Sequence, residues 1–277
     1  MDGFGHNEEY RTLTVTKASP TIGAEIGNID LTRPLNDDEI ADLKRAFTEH
    51  LVLFFRDQKI SFEDHVRLAE YFGPIGSHYG KKTISKPTED PRVRRFHADE
   101  NTAKVSGDIW HSDQTCGQVP PLASILYIHT IPPHGGGDTL FANMYSAYDA
   151  LSDKMKEHLE GLTAIHDGAH IFGEGTPSAV HPVIVRHPES GKKLIFVNIA
   201  FTKRIREVSE EESDSLLRYL YAHCTQPEWT CRFRWQPHSI AFWDNRCAQH
   251  RAISDSWPHV RSGFRVQIDG IVAPVAG

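Results

Sequence analysis

The feature that most constrains this chain is its punctuation. From residue 123 onward, short apolar runs recur at Ala123–Thr130, Thr139–Ala142, Val183–Arg186, Leu194–Asn198, Ile240–Trp243 and Phe264–Gly270, separated by segments rich in Gly and Pro. Runs this short are strand lengths rather than helix lengths. Helical spacing predicts only a few interruptions. Asn36, followed by Asp37 and Asp38, starts a helix with acidic residues where the dipole favours them, and Leu43, Phe47 and Leu51 then recur at helical spacing. Ser61 and Asp64 form a capping-box pattern opening a helix through Tyr71 that stops at Gly73-Pro74, with the buried strand Val52–Phe55 before it. Further helices are expected at Met144–Leu162 and Ser209–Cys224, the latter with Ser209 and Glu212 at capping-box spacing. Many short strands with a few helices predict a mainly β fold, an antiparallel sandwich or jelly-roll core decorated by α-helices.

No internal repeat, low-complexity block or linker divides residues 1–277, so one domain is expected. Between about residues 79 and 109 the apolar period is lost among lysines, prolines and arginines, which predicts a long surface segment, a candidate lid. Its basic run Arg92–Arg95 reads as a solvated loop. A net charge of -7 argues against a nucleic-acid or membrane-surface binder, which needs a basic face. No apolar stretch approaches the twenty or so residues of a membrane span. Residues 1–10 are polar and acidic without a signal-peptide core, and the four cysteines at 116, 224, 231 and 247 show no CxxC pairing, so a reducing, cytoplasmic setting is expected. Cys116 and Cys247 are expected to be small apolar fillers.

The chemical signal is Trp110-His111-Ser112-Asp113 with the distant Gln249-His250. On a strand, residues i and i+2 share a face, so His-x-Asp can aim an imidazole and a carboxylate at one point. A histidine from a neighbouring strand completes the facial triad of non-haem iron(II) oxygenases, leaving three positions for a bidentate cosubstrate and dioxygen. The triplet alone is weak, because a chain with 17 histidines contains about one by chance. A second copy, His97-Ala98-Asp99, lies in the aperiodic segment and is expected on a mobile loop unable to hold a metal. Downstream, Arg261 falls just before the terminal strand and Arg265 within it, and two guanidiniums near a metal suit carboxylate or sulfonate. Trp243-Asp244-Asn245 is expected to pack under the site, and His166, His170, His181 and His187 are expected at the surface or behind the ligands. Asn101–Gly107 and Phe172-Gly173-Glu174-Gly175 are expected near substrate.

In this order the blocks resemble the taurine dioxygenase / 2,4-dichlorophenoxyacetate dioxygenase (TauD/TfdA) family of iron(II)- and 2-oxoglutarate-dependent enzymes. The resemblance runs over nearly the whole chain, through Ile22–Ile26, Asp30–Leu35, Val52–Gln58, Phe72-Gly73-Pro74, the His111 motif, Gly135–Thr139, Trp243–Arg246, Gln249–Ala252 and the Arg261/Arg265 pair. It implies a double-stranded β-helix, or jelly roll, with Fe(II) held by His111, Asp113 and His250. It implies 2-oxoglutarate as cosubstrate with its distal carboxylate on Thr139 and Arg261, and dioxygen as oxidant. Arg265 and His78 would contact a small anionic organic substrate, a sulfonate, sulfate ester or carboxylate. Hydroxylation would fragment the product where the attacked carbon carries oxygen, nitrogen or sulfur. Gly107 departs from the family, standing where the taurine enzyme uses a side-chain amide. By analogy the chain forms a homo-oligomer, a dimer or tetramer. Two rivals stand beside this reading. One is a non-oxygenase jelly-roll protein binding a metal or small molecule, for which Arg261 has no purpose. The other is a metal-assisted hydrolase, for which the motif offers no second carboxylate as general base.

Overall fold

The structure is a computed structural model that describes residues 10–76, 86–102 and 106–277. Its frame is an eight-stranded sheet in the order Thr14–Lys17, Ala24–Gly27, Val52–Phe55, Ser239–Asp244, Ala123–Thr130, Arg261–Ile268, Arg94–Ala98 and Lys86–Pro87. All neighbours are antiparallel except Ala24–Gly27 with Val52–Phe55. A three-stranded sheet, Thr230–Phe233, Thr139–Asn143 and Ala248–Ala252, faces it. Together they are the two walls of the jelly roll.

Strand alternation explains the layers. Val52 and Phe54 point between the sheets, where Phe54 stacks on Phe233 at 4.1 Å and meets Phe141 at 5.7 Å. Leu53 and Phe55 point the other way, toward Leu43, Ala46 and Phe47 of the helix Asp37–His50 and Val66, Leu68 and Ala69 of the helix Phe62–Glu70. Because helices cover one face and a sheet the other, Val52–Phe55 is wholly buried and reads as an unbroken apolar run. The expected caps are present. Asn36 with Glu39, Ser61 with Asp64 and Ser209 with Glu212 all form reciprocal capping boxes. No helix among the described residues is long and apolar enough to cross a membrane.

Several expectations need correction. The helix expected at 144–162 is two, Met144–Asp149 and Asp153–Leu159, because Ser152 accepts from Met155 N and caps a second start. Part of the supposed surface segment, Arg94–Ala98, is a strand paired with Arg261–Ile268. At this edge of the sheet, backbone hydrogen bonds rather than an apolar period hold it in place. Arg261 opens its strand rather than preceding it. The strands Thr163–Asp167, Ser178–Pro182, Thr202–Ile205, Thr230–Phe233 and Ala248–Ala252 carry too many polar residues to be read as apolar runs.

Candidate active site

His250 lies mid-strand in Ala248–Ala252, on the small sheet. His111 joins it by a reciprocal backbone pair, His111 N donating to His250 O at 3.0 Å and His250 N to His111 O at 2.8 Å. That pairing brings the two imidazoles to a centroid separation of 4.1 Å. Asp113 is delivered differently from the strand geometry expected, because the chain turns immediately after His111. Ser112 Oγ ties this turn to Ala248 O at 2.9 Å, and Asn245 Oδ1 accepts from Asp113 N at 3.3 Å. Gln114, at φ 48°, completes the turn, and its side chain donates to Gln267 Oε1 at 2.8 Å.

Behind the turn, Thr115 is gripped by a buried polar cluster. His166 Nδ1 and Asn198 Nδ2 reach its hydroxyl at 2.9 and 3.0 Å, and His181 Nε2 donates to Thr115 O at 2.9 Å. His166, His181 and His187 are all buried, so the surface alternative applies to His170 alone.

Ligand atoms of His111, Asp113 and His250 lie within 4.8 Å of one another. Asp113 Oδ1 stands 3.7 Å from His111 Nε2 and 3.8 Å from His250 Nε2. Its other oxygen, Oδ2, accepts from Ser124 Oγ at 2.8 Å and from Arg265 Nη2. One oxygen is therefore braced while the other faces the imidazoles. His111 Nδ1 lies 2.8 Å from Ile109 O, and a carbonyl only accepts, so Nδ1 carries the hydrogen and Nε2 presents its lone pair. Burial lowers the pKa of both imidazoles, keeping them neutral, and of His250 strongly so. Burial pushes the Asp113 carboxyl up, but the Arg265 guanidinium beside it outweighs burial and holds the group far below the ordinary carboxylate range. Two neutral nitrogens and one carboxylate, with charge nearby to hold the anion, form a donor set that fits a divalent transition metal.

These groups line a cavity of about 360 Å³ that also contains Thr139, Arg261 and Arg265. Arg261 is only 1% exposed. Its guanidinium lies 4.7 Å from the Phe96 ring and 5.4 Å from Trp235, and its Nε and Nη2 have no hydrogen-bond partner among the described residues. Burial pulls its pKa down to about 10 against the opposing pull of Asp138 and Asp255. Gly137, at φ +69°, passes so close that an added Cβ would collide with Arg261 Cδ, which explains a glycine there. Thr139 Oγ1 accepts from Trp235 Nε1 at 3.0 Å. An orphaned, flat cation with a hydroxyl in the same cavity is a receptor for a carboxylate.

Not every sequence candidate joins this site. His97 stands on the strand Arg94–Ala98 rather than on a loop, with Nδ1 3.2 Å from Ser262 Oγ and Nε2 3.6 Å from Asp99, and no third ligand gathers there among the described residues. His187, Asp244 and Cys247 do cluster, but the lone pairs of His187 and Asp244 are spent. His187 Nδ1 accepts from Glu189 N and Ser190 N, its Nε2 donates to Asp244, and Arg246 takes the remaining carboxylate capacity. Asp244 is thus structural, as expected of the Trp243-Asp244-Asn245 stretch. All four cysteines are buried and free. Ser106, Gly107 and Phe172 line the cavity, so both stretches expected near substrate contribute to it. His78 lies outside the described residues. Sequence reasoning missed Trp235 and Ser124, since a lone indole or hydroxyl carries no motif; only the register of their strands brings them here.

The comparisons with known proteins agree with this geometry. A family model described as taurine catabolism dioxygenase TauD, TfdA family matches residues 14–267. An alpha-ketoglutarate-dependent sulfonate dioxygenase of Saccharomyces cerevisiae is 34% identical over 290 residues, covering 94% of this chain and 67% of that protein. An alkylsulfatase of Acinetobacter baylyi is 32% identical over 280 residues, covering 94% and 86%. The crystal structure of a taurine dioxygenase from Burkholderia xenovorans aligns with a TM-score of 0.85 at 35% identity, covering 96% of this chain and 91% of that one. The chain belongs to the TauD/TfdA family and is a non-haem iron dioxygenase that depends on Fe(II), 2-oxoglutarate and dioxygen.

Proposed function

We propose that this enzyme hydroxylates a small anionic organic substrate, a sulfonate, sulfate ester or carboxylate, at the cavity built around His111, Asp113 and His250. The observation that carries the assignment is Arg261, a buried guanidinium with orphaned donors sharing one cavity with the three candidate metal ligands. A metal-binding or small-molecule-binding jelly roll without a cosubstrate gives that cation no purpose, and burying it unpaired is costly. The relatives named for sulfonates and alkyl sulfates support an acidic head group on the substrate.

When bound, Fe(II) and 2-oxoglutarate supply the oxidising power: dioxygen is consumed, 2-oxoglutarate becomes succinate and carbon dioxide, and one oxygen atom enters a substrate C–H bond. The chain's own residues do the positioning. His111, Asp113 and His250 would hold the metal. Arg261 and Thr139 would hold the far carboxylate of 2-oxoglutarate in the cavity they share with the three ligands. Arg265 has a second duty besides bracing Asp113: its Nε is buried without a hydrogen-bond partner among the described residues, a donor left for the substrate's anionic group. His78 is a further candidate for that group. A product hydroxylated beside sulfur or oxygen then fragments. A cytoplasmic setting, in keeping with four cysteines spaced without a CxxC pair, and assembly into a dimer or tetramer by family analogy belong to the same proposal.

The test is succinate formation. Purified protein with Fe(II), ascorbate and 2-oxoglutarate is challenged with sulfonates, alkyl sulfates, aryloxyalkanoates and acylated amino acids. Stimulated succinate with at least one anion is the expected result. No stimulation across the panel, together with no binding of 2-oxoglutarate, would overturn the assignment.

A further inference from the structure

The metal ligands and anion clamps use one part of the cavity; another part is a wall of apolar side chains. Ile171 and Phe172 come from the short helix Ala169–Phe172, Ala200 and Phe201 from the segment after the strand Lys193–Ile195, and Ile109 from two residues before His111. Phe172 and Phe201 stack at 5.9 Å and pack with buried Cys116, so a small core of its own holds this wall in place. Its outer members are not spent on that core. None of the residues of Ala169–Phe172 is buried, and Ile109 and Ile171 remain 40% and 43% exposed while lining the cavity. Apolar side chains that rim a charged cavity and stay wet mark a surface a ligand covers.

Size gives the direction. At about 360 Å³ the cavity lies near the small end of ligand pockets, yet it must take 2-oxoglutarate and the reacting end of the substrate together. Any tail therefore leaves through the mouth, across Ile109 and Ile171. Resting on the function proposed above, we infer that the enzyme selects anions bearing an extended apolar tail, alkyl or aryl, laid against Ile109, Ile171, Phe172 and Phe201 with the acidic head toward Arg265.

The experiment uses the Fe(II)-loaded full chain with saturating 2-oxoglutarate. Straight-chain alkyl sulfates from ethyl to octyl, phenyl and naphthyl sulfates, and taurine are compared by kcat/KM for succinate release, with calorimetric Kd in the absence of dioxygen. Each added methylene should raise kcat/KM by about two- to fourfold until the wall is covered, the upper figure being full burial of a methylene. Whether alkyl or aryl series climbs further identifies the source of the tail. Ile171→Ser and Ile109→Ser should each cut the octyl-to-ethyl ratio by at least about fivefold, whereas Ile271→Ser, at a residue 75% exposed and outside the cavity lining, should leave the ratio intact. Succinate release with no dependence on tail, or a preference for taurine over octyl sulfate, overturns the tail inference and leaves the dioxygenase assignment standing. No turnover and no 2-oxoglutarate binding removes both.

Discussion

The indole N–H of Trp235 donates to the hydroxyl oxygen of Thr139 at 3.0 Å. That bond fills one acceptor site of the hydroxyl and leaves its hydrogen to be given elsewhere, toward an anion in the cavity. The same indole lies 5.4 Å from the Arg261 guanidinium, so one residue steadies both groups proposed to hold the cosubstrate's far carboxylate. Trp235→Phe keeps the ring and removes the donor. The expected result is a 2-oxoglutarate KM raised by about three- to tenfold, the worth of one neutral hydrogen bond, with substrate KM unchanged. Equal rises in both would show that Trp235 merely fills space.

Arg261 makes an opposite pair of changes testable. Its guanidinium is buried with orphaned donors, a state that costs stability and is tolerated at a site that gains its partner on binding. Arg261→Met should raise the melting temperature of the protein without cosubstrate, by about 1–2 kcal/mol or a few degrees. It should also abolish the further rise that 2-oxoglutarate gives the unchanged protein. A variant that melts lower, or that still responds to 2-oxoglutarate, would show the cation has another partner.

Arg265 separates from Arg261 by what it touches. Its Nη2 donates to Asp113 Oδ2 and, at 2.8 Å, contacts Ser124 Oγ. Arg265→Ala should therefore weaken both the anionic substrate and the metal, each by about tenfold or more, while Arg261→Ala weakens chiefly 2-oxoglutarate. Metal titration followed by separate KM measurements distinguishes them. Identical profiles for the two variants would undo the division of labour.

How much of this was legible in the sequence depends on where each signal lives. Val52–Phe55 and Ala123–Thr130 were visible because burial on both faces leaves an apolar run. The strand carrying His250, Ala-Gln-His-Arg-Ala, was not, because function and turn-side polarity overwrite its pattern. His111 and His250 were identified as ligands from motif and family likeness, yet what unites them is a two-bond backbone bridge across residues far apart in sequence. The placement of Asp113 on a turn, held by Asn245, Ser124 and Arg265, likewise depends on contacts between distant segments. Local pattern fixes elements; register decides which polar side chains meet.

Gly107 illustrates a constraint that only the folded chain reveals. It sits at φ +82°, its carbonyl accepts from Ala252 N at 2.8 Å, and an added Cβ would stand 3.1 Å from His111 Cε1. Gly107→Ala should strain the backbone and push the imidazole off its line, costing about 1–3 kcal/mol. The expected reading is metal affinity reduced by about tenfold with little change in secondary structure. Unaltered metal affinity in a folded variant would mean the loop yields without moving His111.

Acid should unfold this protein through two buried histidines that are not metal ligands. His65 donates through Nε2 to Ile125 O at 3.2 Å, and burial lowers its pKa to about 4. His166, bonded to Thr115 and Thr202, is lowered to about 3, first by burial and then by His181. Both are neutral in the folded state and titrate near 6.5 when unfolded. Below that pH the unfolded chain binds protons the folded chain refuses, so stability is full above about 6.5 and falls as pH drops toward 4. At pH 5 each group should have removed about 2 kcal/mol. Asp113 and Asp244, held low by arginines, add their loss only below the ordinary carboxylate pKa, outside this window. Denaturant midpoints measured from pH 7.5 to 4.5 should decline, and His65→Gln and His166→Gln should each shallow the decline. A midpoint that stays level down to pH 5 would mean these rings take up protons without opening the core.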